Sequence, residues 1–143
     1  MNYCKILIAV DDGPTAEKVA SNGYQLAKKL KAEMALLSVV DTTHLMTDSG
    51  ITPRELADIN KSDFKKSHQL LAEKIFKDYK IWSFVEEGKP YEVILKTAEE
   101  WEADLIIIGT HGRTGLYHLL LGSIAEHVIR YSSIPVMIIP SKP

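Results

Sequence analysis

Five apolar runs alternate with four amphipathic stretches along this 143-residue chain. That alternation predicts an α/β protein: an open, doubly wound parallel sheet of five strands with helices on both faces. Two features sharpen the prediction. The runs Ile6-Leu7-Ile8 and Leu105-Ile106-Ile107-Ile108 are continuously apolar, as strands covered on both sides are. Directly after the second run, glycines crowd the place where a strand gives way to a helix. A chain of this length, 45% hydrophobic and 25% charged, is expected to form one domain over residues 1–143 with a core that needs no covalent staple.

The elements follow in order. Residues 4–10 read as the first strand, ended by the turn signal Asp11-Asp12-Gly13-Pro14. Residues 15–31 read as a helix, because Ala16, Val19, Ala20, Gly23, Leu26, Ala27 and Leu30 recur at steps of three and four. Residues 34–40 form the second strand, and the aperiodic, polar stretch 41–52 a loop. Pro53 suits the first turn of a long helix reaching about residue 79, with Leu56, Ile59, Phe64, Leu71 and Ile75 inward. The run Ile81-Trp82-Ser83-Phe84-Val85 alternates as an edge strand should. Gly88-Lys89-Pro90 restarts a helix carrying Tyr91, Ile94, Leu95, Ala98 and Trp101. Residues 104–108 are the fourth strand and 134–139 the fifth, with Pro135 tolerated at its start or on an edge.

Composition excludes several classes of function. A net charge of −2 argues against a general nucleic-acid binder, which needs a basic stripe. Lys28-Lys29-Lys31 and Lys65-Lys66 fall on helix faces and read as solvated surface. Neither a signal peptide nor an apolar run of about 18–20 residues is evident, so no membrane association and a cytoplasmic location are expected. The single cysteine, Cys4, has no partner for an internal disulfide and reads as a small core residue.

The chemistry concentrates in Gly109-Thr110-His111-Gly112, then nine residues, then Gly122-Ser123. The following Ile124-Ala125-Glu126-His127-Val128-Ile129 has helical spacing. At such a strand-to-helix junction the backbone N–H groups are free, the helix dipole favours negative charge, and glycine lets the backbone approach a bulky anion. These are the elements of a phosphate site, although glycines at a turn can also serve geometry alone. The spacing is neither the dinucleotide G-x-G-x-x-G nor a P-loop, since no Gly-Lys-Ser/Thr occurs. The pattern G-x2-G-x9-G-S/T instead resembles the ATP-binding branch of the universal stress protein family. The likeness extends to the Asp11 turn, the Gly88-Lys89-Pro90 helix start and Ile134-Pro135-Val136.

That resemblance implies a Rossmann-like strand order 3-2-1-4-5 and ATP as ligand. It puts the order reversal between the ends of strands one and four, at Asp11 and Gly109. From the residues alone, Asp11 and Asp12 could be an acid pair for a metal, a ribose-binding group or turn formers; Asp12 is favoured as the turn former. The resemblance gives Asp11 the ribose hydroxyls, the backbone of Val39 the adenine edge and Gly109 a place beside the ribose. Gly112, Gly122, Ser123 and the N–H of Ile124 take the phosphates. Arg113 is either within reach of a terminal phosphate or solvated loop. His111 and His118 read as loop surface, too poor in further ligands for a metal site. A Mg or Mn ion could be held by phosphate oxygens and water.

No nucleophile elbow, activated cysteine or base beside Ser123 is evident, so a binding or signalling module with slow or absent hydrolysis is expected, at most a weak ATPase. A phosphorelay receiver fails on chemistry: Glu86-Glu87 stands where a phosphoacceptor aspartate belongs, and Lys142-Pro143 leaves no room for a last helix. A stress protein acting only as an interaction platform with a vestigial site is the alternative. The resemblance finally implies a homodimer paired through the strand at 134–139, whose apolar edge would otherwise be an aggregation hazard.

Overall fold

A computed structural model describes residues 2–43, 45, 50–111 and 121–141. Its five-stranded sheet has the order β3-β2-β1-β4-β5, parallel throughout. The strands are β1 (Lys5–Ala9), β2 (Glu33–Asp41), β3 (Ile81–Gly88), β4 (Leu105–Gly109) and β5 (Val136–Ile139). The helices are α1 (Ala16–Leu30), α2 (Pro53–Leu71), α3 (Pro90–Glu100) and α4 (Ser123–Tyr131), and α2 continues as a π-helical turn over Ala72–Phe76. The predicted doubly wound architecture and its strand order are therefore those of the molecule.

Strand periodicity divides the core in two. Ile6, Ile8, Met34 and Leu36 face α1 and the end of α2, meeting Val19, Ala20, Ala27, Leu71 and Phe76. Leu7, Ala35, Leu37 and Ile106 face the other way, onto Ile94 and Ala98 of α3 and Val128 of α4. Both faces of β1 and β4 are thus covered, which is why their sequences do not alternate. On the second face α3 and α4 meet through Tyr91, stacked 4.7 Å from His127.

Several boundaries differ from expectation for identifiable reasons. Asp104 lies outside β4: its carboxylate accepts from the Cys4 and Lys5 N–H groups at 2.8 and 2.9 Å, pinning the start of β1. The same arrangement leaves Cys4 exposed, correcting its placement in the core. β5 begins at Val136, because Ser132 Oγ holds the backbone of Ile134 in a turn and Pro135 has no N–H to donate. β3 runs on to Gly88, pairing with β2 as far as Asp41. Gly88 sits at φ +143°, and a Cβ there would also stand 2.8 Å from Val93 Cγ2, so this junction requires glycine. Leu30 and Ile59, read as inward, are 44% and 49% exposed.

The helix after the loop is held at both ends. Thr52 Oγ1 accepts from the Glu55 N–H at 3.1 Å, with Pro53 in the first turn. Arg54 ties that end to β3 through Glu87 at 2.7 Å. Further along, the inward residues are Ala57, His68 and Leu71, and the wider π turn delivers Phe76 to the core beside Tyr24. His68 is 2% exposed and both its nitrogens are engaged. Ser38 Oγ donates to the Val10 carbonyl at 2.7 Å and therefore accepts from His68 Nε2–H, also at 2.7 Å. His68 Nδ1 then accepts from Ser83 Oγ–H at 2.6 Å. One neutral imidazole thereby joins β1, β2 and β3 to α2.

Burial pushes the His68 pKa down from 6.5 to about 4. Between those values the unfolded chain binds a proton that the folded chain refuses, so stability falls as pH drops from 6.5 towards 4 and the loss levels off below 4. Urea titrations at pH 7.5 and 4.5 should show wild type losing about 2.5 kcal/mol more than His68→Gln over that interval. An identical pH dependence in the two proteins would contradict a buried, neutral His68.

Candidate functional site

The sheet order sets the position of the site. From β3 the chain crosses to the far side of β1 to lay down β4, so connections leave the adjacent carboxyl ends of β1 and β4 in opposite directions. A crevice opens where they part, as it does in open α/β sheets generally. It is a cavity of about 700 Å³, reaching from the N-terminus of α4 across the ends of β4, β1 and β2 to α2.

At the β1 end, Asp11 Oδ1 accepts from the Gly13 N–H at 2.8 Å. Asp11 thus closes the turn that sequence reasoning gave to Asp12, which is exposed at the rim. The half-buried Asp11 carboxylate keeps lone pairs for a second partner and lines the cavity, as does Val39.

At the β4 end, Thr110 N–H donates to the Ile139 carbonyl at 3.0 Å, and Thr110 Oγ1 accepts from Ser141 N–H at 3.1 Å. His111, expected at the surface, is only 9% exposed, with Nδ1 3.3 Å from Ser141 Oγ. The end of β4 is therefore anchored to the chain leaving β5, which gives the crevice a fixed floor.

Gly122 brings α4 onto that floor. Its N–H donates to the Thr110 carbonyl at 2.6 Å, and its own carbonyl accepts from Glu126 N–H at 2.9 Å. A Cβ on Gly122 would stand 2.9 Å from Thr110 O and 3.3 Å from His111 Cα. Its φ is −71°, so close approach to the neighbouring backbone, and not a left-handed conformation, demands glycine here. At Gly109 a Cβ would meet Val19 Cγ2 at 3.2 Å, again a matter of space.

Ser123, Ile124 and Ala125 make up the first turn of α4 and line the cavity. By helix geometry their N–H groups have no carbonyl one turn back, and the positive end of the helix dipole lies among them. His127 spends Nδ1 on the Ser123 carbonyl at 2.6 Å, and no described carboxylate or imidazole is hydrogen-bonded to the Ser123 hydroxyl. The arrangement can seat an anion; among the described residues it presents no activated nucleophile.

Asp11, Val39, Gly109, Gly122, Ser123 and Ile124 thus line one cavity although 113 positions separate the first from the last. Gly112, Arg113 and His118 lie outside the described residues. Sequence reasoning missed the α2 wall of the cavity, formed by Leu56, Asn60, Asp63 and Phe64. Their spacing places them on one helical face, but two polar residues there disguise it. No three described His, Cys, Asp or Glu side chains gather to hold a metal, and no described helix is long and apolar enough to cross a membrane.

Known proteins are similar to this chain in sequence and fold. The chain is 33% identical over 162 residues to universal stress protein MJ0577 of Methanocaldococcus jannaschii, covering 98% of this chain and 96% of that one. The solved MJ0577 structure superposes with a TM-score of 0.82 at 30% identity, covering 100% and 99% of the two chains. Universal stress protein MJ0531 of the same organism is 32% identical over 142 residues, covering 96% and 82%. At lower identity the likeness is one of fold. A universal stress protein in complex with cAMP gives a TM-score of 0.71 at 18% identity, covering 99% and 100%. One from Archaeoglobus fulgidus in complex with dAMP gives 0.65 at 19%, covering 96% and 98%. The sequence profile described as the universal stress protein family matches residues 2–140, and the chain belongs to that family.

Proposed function

We propose that this protein is a cytoplasmic, ATP-binding stress-response module whose occupancy by nucleotide, and not turnover, is its output. The observation that carries the reading is the convergence of an acidic strand end, Asp11, and an anion-accepting helix start, Gly122-Ser123-Ile124, in one cavity of about 700 Å³. Proteins of the same fold solved with cAMP and with dAMP support an adenine nucleotide as the occupant.

In this reading the phosphates lie on the N–H groups of Ser123 and Ile124 and on the Ser123 hydroxyl, with Gly122 keeping that turn close to the strand. Gly112 and Arg113 would complete the phosphate site, Gly109 and Asp11 flank the ribose, and the Val39 backbone meets the adenine edge. A Mg or Mn ion would travel on the phosphate oxygens, with water filling its remaining positions. Hydrolysis is slow or absent in this reading, in which the Ser123 hydroxyl donates to the phosphates and does not act as a nucleophile.

The edge strand β5 supplies a second part of the proposal. Met137 is 38% exposed there, whereas Val136 and Ile138 pack towards the core. Pairing of β5 with its twofold mate would cover that edge and make a homodimer.

Asp11→Ala removes a charged acceptor whose bonds are worth roughly 1.5–3 kcal/mol, so ATP affinity should fall about tenfold or more. The same change should matter far less for 2′,3′-dideoxy-ATP, which never made those bonds. Equal losses for both nucleotides would take the ribose away from Asp11. For assembly, light scattering after size exclusion should give wild type twice the mass of one chain and Met137→Lys a smaller average mass. A monomeric wild type at micromolar concentration would end the dimer proposal.

A further inference from the structure

The cavity does not stop at the end of β2. Beyond Val39 and Val40 it is walled by α2, through Leu56, Asn60 and Phe64. These positions are separated by four and four residues, so they stack on one face of the helix. The groups nearest Asn60 on this wall are apolar, Val40 buried and Leu56 and Phe64 half-buried, while the carboxylates Asp41 and Asp63 line the cavity towards its rim. Asn60 is the one uncharged polar side chain of α2 on this wall. It is half-buried, lines the cavity, and its carboxamide makes no hydrogen bond to any described residue. About two helical turns further on, the situation is reversed, because both nitrogens of the buried His68 are satisfied. Its amide atoms are not sealed from solvent, so a ligand in the cavity would meet them in place of water.

We infer that Asn60 reads the base of the nucleotide, selecting a 6-amino over a 6-oxo purine, with Phe64 offering a ring face beside it. The inference rests on the nucleotide reading above. A ligand with its phosphates on α4 and its sugar at Asp11 has one direction left for its base, along the end of β2 towards α2. A carboxamide has one acceptor and one donating group side by side. Adenine offers the matching pair, the N6 amino group and N7, whereas guanine offers two acceptors, O6 and N7. Against guanine the Asn60 oxygen is left facing another oxygen. In this account the Val39 backbone fixes where the base lies, and the Asn60 side chain decides which base is accepted.

The test is competition binding of ATP, GTP and inorganic tripolyphosphate to folded wild type, Asn60→Ala and Asn60→Asp. Alanine favours helix, and thermal unfolding verifies that each variant is folded. Wild type should prefer ATP over GTP by about tenfold or more, the discrimination expected of a bidentate amide–adenine pair. Asn60→Ala should lose about tenfold for ATP while GTP and tripolyphosphate change by less than about twofold. Asn60→Asp keeps the acceptor that faces N6 but loses the donor to N7, a contact both purines share, so both nucleotides should bind more weakly while the preference for ATP is kept. An ATP:GTP ratio unchanged by Asn60→Ala overturns the inference while leaving nucleotide binding intact. So does an equal loss for all three ligands, which marks a structural role. A wild type that binds tripolyphosphate and neither nucleotide overturns the nucleotide reading and this inference together.

Discussion

The opening between the carboxyl ends of β1 and β4 is the constraint on which the rest of this molecule depends. Parallel strands joined by right-handed crossovers can fill both faces of a sheet only by reversing direction somewhere. Here the reversal falls beside the central strand, with α1 and the end of α2 packed on one face and α3 and α4 on the other. The strand ends are left open at that point. The loop after β1 and the helix after β4 meet there without competing for space.

How closely the two approach is set by Gly122. Any side chain would press on the Thr110 carbonyl at 2.9 Å, so the start of α4 would lift away from β4 and its free N–H groups with it. The floor cannot yield to accommodate this, since Thr110 and His111 are tied to Ile139 and Ser141. A tied floor and a close helix end give the free N–H donors at the start of α4 a fixed geometry, which in the proposed nucleotide complex would lower the cost of ordering them. On the opposite wall α2 is held by a different device, the chain from Ser83 through His68 and Ser38 to the Val10 carbonyl. The residue after Val10 is Asp11, so the hydrogen bonds that seat α2 also fix the strand end that carries the carboxylate.

Much of this was legible in the sequence because it rests on local rules. Continuous apolar runs identified β1 and β4, alternation identified β3 as an edge, and Gly109, Gly122 and Ser123 marked the strand-to-helix junction. The strand order was not legible from periodicity and came only with the family resemblance. What escaped was governed by side chains acting out of type. A buried His68 shifted the inward stripe of α2 away from Ile59, and the serines that satisfy it, Ser38 and Ser83, sit within strands as if by chance. The signal was present, since a histidine three residues before Leu71 and two serines on matching strand faces can bury one another. Asn60 hid the α2 wall in the same way, as a polar residue on a face read for apolar ones. Cys4 and His111 were misplaced because their exposure depends on Asp104 and Ser141, partners about 100 and 30 residues away.

The most direct test of the central claim is equilibrium dialysis of labelled ATP against the folded protein, with Gly122→Val alongside. One equivalent of ATP bound per chain of wild type, and a folded Gly122→Val that retains little, is the result expected if the start of α4 seats the phosphates. A folded wild type that leaves ATP equally distributed across the membrane, or a Gly122→Val that binds as wild type does, would contradict it.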